Sequence, residues 1–322
     1  MQRLRRLLRR GDAGQVSGAD AAPADAAAPP EPGIFFVRGH PRSGTNWCGN
    51  LLNLHPKILV VGEWHFEAIR KAVDRFCHYE WHVGHAEPVR GIVERHFREM
   101  VRESIRSQAV HKPGATWIGD RTPREVRFLV PGAPHFLVVR DGRDVMVSFC
   151  FHQMATKGPE ISRPAFWNVL KDDVAAFKAD PAYFQEHPER LFAHEPWVRH
   201  VARSWAARVR EDLEAIDQAR TGRADGRILV VRYERMHADP DGTRREMYEF
   251  LGLDPDEAEP ISLESCTAPG VQTEDPAAFY RKGTVGDWRT YAGDAFLRIF
   301  EEEAGEQLAA LGYADQPEAA TP

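Results

Sequence analysis

Gly39-His40-Pro41-Arg42-Ser43-Gly44-Thr45-Asn46-Trp47 follows an apolar run, Ile34-Phe35-Phe36-Val37, and leads into Leu51-Leu52. Together these pieces read as a strand, a tight loop and a helix. Gly39 and Gly44 have the G-x-x-x-x-G spacing of a P-loop. Glycines there let the backbone bend and turn its N–H groups toward an anion at the helix N-terminus. An ordinary P-loop continues with a lysine and then a metal-holding Ser or Thr. Here Thr45 and Asn46 stand in those places, and the cation, Arg42, lies inside the loop. The loop is built for phosphate but lacks two groups that handle a triphosphate and its magnesium. That directs attention to phosphate donors other than ATP.

Outward from this loop the pattern alternates. Residues 34–38, 58–61, 116–118, 135–139 and 228–231 read as strands. Helices are expected over 45–54, 88–107, 143–151, 244–251 and 295–311, and helical patterns dominate up to Ala219. Pro123 is placed to start another helix, because proline fits a first turn. Continuous apolar strands separated by helices predict an α/β fold of three layers, P-loop-like, with a central parallel sheet flanked by helices. Ligands of such folds gather at the carboxyl ends of strands. The residues leaving the strands are Arg38 to Arg42, Gly62-Glu63, Asp120-Arg121, Arg140-Asp141 and Arg232-Tyr233-Glu234, and four of these five groups carry arginine. Residues 154–199, rich in aromatics and charge, read as an insertion or lid.

The 322 residues, 43% of them hydrophobic, can fill a substantial core. The formal net charge of −6 implies no general affinity for nucleic acid. Four cysteines without C-x-x-C spacing suggest reduced thiols in a reducing compartment, so a cytoplasmic location is expected, with neither zinc site nor disulfide frame. No apolar run reaches membrane-spanning length. Residues 1–10 carry five arginines, with Leu4, Leu7 and Leu8 at helical spacing. They read either as a basic amphipathic segment touching anionic lipid or a partner, or as a frayed, solvated start. Residues 11–32 hold almost no large apolar side chains and cannot repay the entropy of ordering. The expected organisation is a disordered leader over 1–33, one domain over 34–313 and a flexible tail over 314–322.

Two further segments carry phosphate chemistry. In Val139-Arg140-Asp141-Gly142-Arg143-Asp144-Val145-Met146-Val147-Ser148 an arginine ends a strand, and Ser148 lies about two helical turns beyond it. A forked cation and a hydroxyl at that spacing can converge on one oxyanion. Arg143 and Asp144 read as ordinary surface charges. In Tyr280-Arg281-Lys282-Gly283-Thr284-Val285-Gly286-Asp287-Trp288 two cations precede a glycine that frees the backbone, which makes an anion clamp.

These three segments, in this order, resemble the sulfotransferases that use 3′-phosphoadenosine-5′-phosphosulfate (PAPS). Pro41 to Trp47 is similar to the family loop for the 5′-phosphosulfate, P-[KR]-S-G-T-x-W. Arg140 to Ser148 resembles its 3′-phosphate site. Arg281-Lys282-Gly283 with Gly286-Asp287-Trp288 resembles the R-K-G-x-x-G-D-W motif of cytosolic members, and Tyr233 is similar to a family tyrosine near the adenine. The resemblance implies a sulfuryl transfer from PAPS to a hydroxyl or amine acceptor, with adenosine 3′,5′-bisphosphate (PAP) as product and no metal. It implies that Arg42, Ser43, Gly44, Thr45, Asn46 and Trp47 hold the 5′ end, and that Arg140, Ser148, Arg281, Lys282 and Gly283 hold the 3′-phosphate. Trp47 either lies against the adenine or is a core residue of the first helix.

In-line displacement needs fixed cations where charge builds on the leaving phosphate. Arg42 is the first candidate. Arg121, in a segment that resembles the family's K-T-P stretch, is the second. The chain has Thr122-Pro123 where cytosolic members carry a base histidine. Glu63 is its replacement, since residues 55–63 look like the tyrosylprotein and carbohydrate branches with a glutamate base after the second strand. Glu63 as a cap or ion-pair partner is the plainer alternative, and His65 and His152 are reserves. The acceptor is expected among the aromatic side chains of 149–167 and those near Trp197 and Trp205. That lining suits a small molecule, a lipid or a glycan. The rival functions are a P-loop kinase or NTPase and a non-catalytic nucleotide-binding protein.

Overall fold

β1 (Gly33–Gly39) is the middle strand of a five-stranded parallel sheet. The protein was studied as a computed structural model, which describes residues 31–79, 83–157, 164–262 and 283–314. The remaining strands are β2 (Ile58–Val61), β3 (Trp117–Arg121), β4 (Pro134–Val139) and β5 (Arg227–Arg232). Across the sheet their order is β2-β3-β1-β4-β5. Phe36 of β1 stands opposite Asp120 of β3 on one side and His135 of β4 on the other. The chain leaves β1 toward β2 and β3 and returns to β4 on the opposite side. A crevice therefore opens at the carboxyl end of β1.

The helices are α1 (Thr45–Asn53), α2 (Phe66–His78), α3 (Glu87–Arg106), α4 (Gly142–Lys157), α5 (Pro164–Ala179), α6 (Tyr183–Glu186), α7 (Glu195–Arg220), α8 (Tyr233–Ala238), α9 (Pro240–Phe250), α10 (Trp288–Tyr291) and α11 (Asp294–Ala310). Successive strand side chains point to opposite faces. Phe35 and Val37 pack with Leu51 and Leu52 of α1 and with Met247 and Tyr248 of α9. Ile34 and Phe36 pack with Phe97, Val101 and Ile105 of α3. Leu137 and Val139 enter a third cluster with α4, α5, α7 and α11. Burial on both faces is why the strands read as unbroken apolar runs, each large side chain contributing about 1.5–3 kcal/mol. On α7, Trp197, Val201, Trp205 and Val209 recur every fourth residue and form the buried stripe. No helix of the described residues is long and apolar enough to cross a membrane.

Three expectations are corrected. Residues 122–133 form an irregular connection, not a helix begun by Pro123. Their polar groups are satisfied otherwise: Thr122 Oγ1 donates to Asp120 Oδ1 (2.8 Å), Arg124 N–H donates to Thr122 O (2.8 Å), and Val126 N–H donates to Asp212 Oδ1 (2.7 Å). Of the 154–199 region, 158–163 lie outside the described residues, and the part from 169 to 199 is core and not lid, because Leu170, Val174, Phe177, Phe184 and Leu191 are buried in the same cluster as α4 and α7. Arg143 and Asp144 are buried, not surface charges. Three helices that periodicity did not flag, α2, α8 and α10, complete the fold. Residues 1–30 of the expected leader and most of the expected tail, from residue 315, lie outside the described residues, and Gly33, the leader's expected last residue, opens β1.

Asp212 is 6% exposed, and burial, opposed in part by the Val126 hydrogen bond, pushes its carboxyl up to about 7. The folded state thus holds a proton there between about pH 4 and 7 that the unfolded state has released, so stability falls as pH rises through that window. Asp212→Asn keeps the acceptor for Val126 and removes the buried charge. The variant is expected to gain on the parent between pH 5 and pH 8 by on the order of 2 kcal/mol, read from urea unfolding at both pH values. Parallel pH–stability curves would disprove this role for Asp212.

Candidate functional site

The P-loop-like turn is bent where its two glycines stand. Gly39 has φ 148° and Gly44 φ 103°. A side chain on Gly44 could not be accommodated, since its Cβ would stand 2.5 Å from Tyr233 Cδ2. Gly44 is also the N-cap of α1, with no side-chain cap. The first-turn N–H groups of α1 have no intrahelical partner and carry the positive end of the helix dipole. Between the glycines, Arg42 adopts φ 76°, a left-handed conformation costly for a residue with a Cβ. Its Nε donates to Ser148 Oγ on α4 (3.1 Å).

A cavity at the carboxyl ends of the strands collects these groups. Arg42, Gly44, Thr45, Asn46, Trp47, Glu63, His65, Arg140, Ser148, His152, Tyr233 and Gly283 all line it. Arg140 ties its walls together: Nη1 donates to Arg42 O (3.3 Å), Nη2 to Thr284 O (2.9 Å), and the guanidinium lies 4.1 Å over the Tyr233 ring. Tyr233 OH donates to Gly283 O (2.7 Å). Asp144, on α4, accepts from Gly286 N–H (2.7 Å) and Trp288 N–H (3.0 Å). One turn of helix thereby anchors the C-terminal loop beside Arg140. Arg143 is occupied elsewhere, paired with Asp141 at 2.7 Å and stacked over Trp288.

Trp47 is 3% exposed, with its ring edge-on to Tyr233 at 5.7 Å, so most of the indole belongs to the core. Ser43 is buried beneath the turn and does not line the cavity. Glu63 and His65 follow β2 and face each other, with Glu63 Oε2 3.1 Å from His65 Nε2. Arg281 and Lys282 lie outside the described residues.

Several strand-end arginines are placed elsewhere. Arg121 does not line the cavity. It runs beneath α1, where a Cβ on Gly49 would stand 3.2 Å from its Cδ. Arg38 is fully buried and paired with Asp120 (2.9 Å) and Glu67 (3.4 Å). Arg232 packs over Tyr313. Trp197 and Trp205, expected near an acceptor, are each 1% exposed core residues. Phe149 does line the cavity and stacks on Trp197. Two lining cations were not singled out from sequence: Arg124, in the irregular connection, and Arg208, on α7.

The lining holds four arginines, at 42, 124, 140 and 208, against one carboxylate, Glu63. Burial leaves Arg140 Nε and Thr284 Oγ1 without a hydrogen-bond partner among the described residues. His40, behind the turn, is held neutral: burial, and then Arg208, lower its pKa to about 4. Unpartnered donors, an uncapped helix start and excess arginine fit an oxyanion with several charges.

The chain is 25% identical to sulfotransferase 1C2 of Rattus norvegicus over 189 residues, covering 52% of this chain and 53% of the relative. It is 22% identical to sulfotransferase 2A2 of Mus musculus over 295 residues, 84% of this chain and 83% of the relative. The chain spans about half the length of the first curated relatives it matches. Among solved structures, mouse sulfotransferase SULT7A1 complexed with PAP aligns at TM-score 0.47 and 16% identity, over 88% of this chain and 90% of that one. A family model described as the sulfotransferase domain matches residues 32–312, and the chain therefore belongs to the sulfotransferase family.

Proposed function

We propose that the chain moves a sulfuryl group from PAPS to a hydroxyl or amine acceptor by in-line displacement. The observation that carries this reading is the convergence of Arg42, Arg140, Ser148, Tyr233 and Gly283 on one cavity beside an uncapped helix start. When bound, PAPS supplies a sulfur already joined to a good leaving phosphate. The residues that fit it are the 44–47 amides and Arg42 at the 5′ end, and Arg140, Ser148 and Gly283 at the 3′-phosphate. Arg281 and Lys282 are proposed beside them on the resemblance alone.

Arg42 stabilises the charge that develops on the bridging oxygen as the S–O bond to the phosphate breaks. Glu63 takes the proton of the acceptor as its oxygen or nitrogen bonds to sulfur. Ser148 fixes the Arg42 fork, so the cation is oriented before reaction. Arg121, set beneath α1 at Gly49, has no contact role in this scheme. The cavity residues Thr45 and Asn46 lack the lysine and metal-binding hydroxyl pattern of an ATP-hydrolysing P-loop.

Thermal unfolding with each nucleotide tests the reading. PAP at a hundred times its Kd is expected to stabilise the fold by about 2.7 kcal/mol, a shift of several degrees, while ATP with magnesium at equal concentration shifts it much less. Radiolabelled PAPS should then pass its sulfur to members of an acceptor panel. Stabilisation by ATP with magnesium alone would return the chain to the kinase or NTPase reading. PAP binding without transfer to any acceptor would return it to the non-catalytic one.

A further inference from the structure

The cavity has more positive charge than the nucleotide site uses. Arg42 and Arg140 are engaged with the P-loop-like turn, Ser148 and the C-terminal loop. Arg124 and Arg208 are not part of that network. Arg124 is pinned by its backbone, whose carbonyl accepts the Gly39 N–H (2.9 Å), so its side chain starts directly beside the turn. Among the described residues no carboxylate pairs with the Arg124 guanidinium. Arg208 comes from the other wall, on α7. Its nearest carboxylate, Glu125 Oε2, stands 3.6 Å from Nη1, beyond hydrogen-bond range, and Glu125 is shared with Arg127 at 3.2 Å. Nη1 is buried without a hydrogen-bond partner among the described residues.

The surroundings make the pair an anion receptor. Both guanidinium groups line the one cavity, and burial lowers the proton affinity of Arg208, with Glu125 opposing and Arg124 adding to the fall. Asp212 and Glu211 also face Arg208. Asp212 is committed to the Val126 N–H, and Glu211 to Arg127 at 3.0 Å. Two arginines brought together in a cavity, one with an unmade hydrogen bond, are stabilised by an oxyanion that takes both forks. The same lining includes Phe149, whose ring meets the buried His40 edge-on at 6.2 Å and stacks on Trp197.

We propose that the acceptor of this chain is an anionic hydroxyl compound, whose carboxylate or phosphate is held by Arg124 and Arg208 while its apolar part lies on Phe149. The inference rests on the sulfuryl-transfer reading and specifies its second substrate. Holding the acceptor by its anionic end fixes the distance from that end to the hydroxyl, which selects among acceptors by length.

Matched pairs test this on the full chain. The probes are 4-hydroxyphenylacetate, 3-hydroxydecanoate and 4-hydroxyphenyl phosphate, each beside an uncharged partner: the two methyl esters and 4-methoxyphenol. Transfer from radiolabelled PAPS gives kcat/KM, and calorimetry on the PAP-loaded protein gives Kd for pairs that are not turned over. The anionic member of at least one pair is expected to be favoured about tenfold or more. In Arg124→Gln and Arg208→Gln that ratio is expected to fall toward one, with Arg208→Lys intermediate and PAP affinity within about twofold of the parent. If Arg208→Gln loses PAP binding, the ratio in Arg124→Gln decides alone. Equal or better use of every uncharged partner, no binding of any probe, or a ratio that survives both substitutions overturns the inference. A parent that fails to bind PAP overturns the sulfuryl-transfer reading instead.

Discussion

Replacing Arg42 by alanine is expected to lower turnover about 10²–10³-fold while PAP affinity falls only about tenfold. The unequal split follows from where the side chain acts. Charge grows on the leaving phosphate oxygen during transfer, so a cation aimed there binds the transition state better than the ground state. Arg42 is fixed in that position, because its backbone sits at φ 76° and its Nε donates to Ser148. A non-glycine residue in that region costs on the order of 1–3 kcal/mol and persists only where surrounding contacts over-determine it. Alanine inherits most of that cost. Glycine does not, so Arg42→Gly is expected to share the kinetic loss and yet unfold at a higher temperature than Arg42→Ala. Arg140→Ala provides the contrast. Its fork spans the turn and Thr284, so its removal is expected to fall mainly on PAP affinity. Single-turnover rates and calorimetric Kd values for the three variants separate the effects. Near-normal turnover in Arg42→Ala would remove Arg42 from the chemistry.

The parts of this site that could be read in the sequence are those built from contiguous chain. β1, the turn and α1 follow one another, so apolar run, glycine spacing and helix start were all visible. Arg140 and Ser148 were also close in sequence, although Ser148 takes its hydrogen bond from Arg42 rather than closing on Arg140. Strand-end arginines were not equivalent, and side-chain parity explains why. Arg38 shares the parity of Ile34 and Phe36, which face α3, and it is drawn into the pair with Asp120 and Glu67. Arg121 leaves β3 on the α1 side. Parity could be counted from sequence, but which face lay under which helix could not. Arg124 and Arg208 gave no signal: one lies in an irregular connection, the other in a long helix where an arginine ordinarily faces water. The Asp144 anchor was missed for a similar reason, since its partners Gly286 and Trp288 are brought near by tertiary packing alone.

Glu63→Gln is expected to cost turnover about 10²–10³-fold with PAP affinity unchanged, and His65→Ala less than about tenfold. The two side chains meet at the cavity, His65 Nε2 standing 3.1 Å from Glu63 Oε2, and both are exposed. Both are bases by chemistry, and the geometry distinguishes them. His65 Nε2, its outer nitrogen, is turned to the Glu63 carboxylate. Its other ring nitrogen, Nδ1, lies next to its own backbone, which is itself held at φ 52°. Glu63 keeps Oε1 available for an incoming proton, and the imidazole orients the carboxylate. Glutamine at 63 preserves size and one acceptor oxygen but cannot accept the proton. The ratio of the two losses therefore reports which group is the base. A larger loss in His65→Ala would transfer that role to His65 with Glu63 as its orienting partner. Parent-like turnover in Glu63→Gln would leave the carboxylate as a cap on the residues after β2. The proton would then pass to His152, which lines the same cavity, or to the acceptor's own anion.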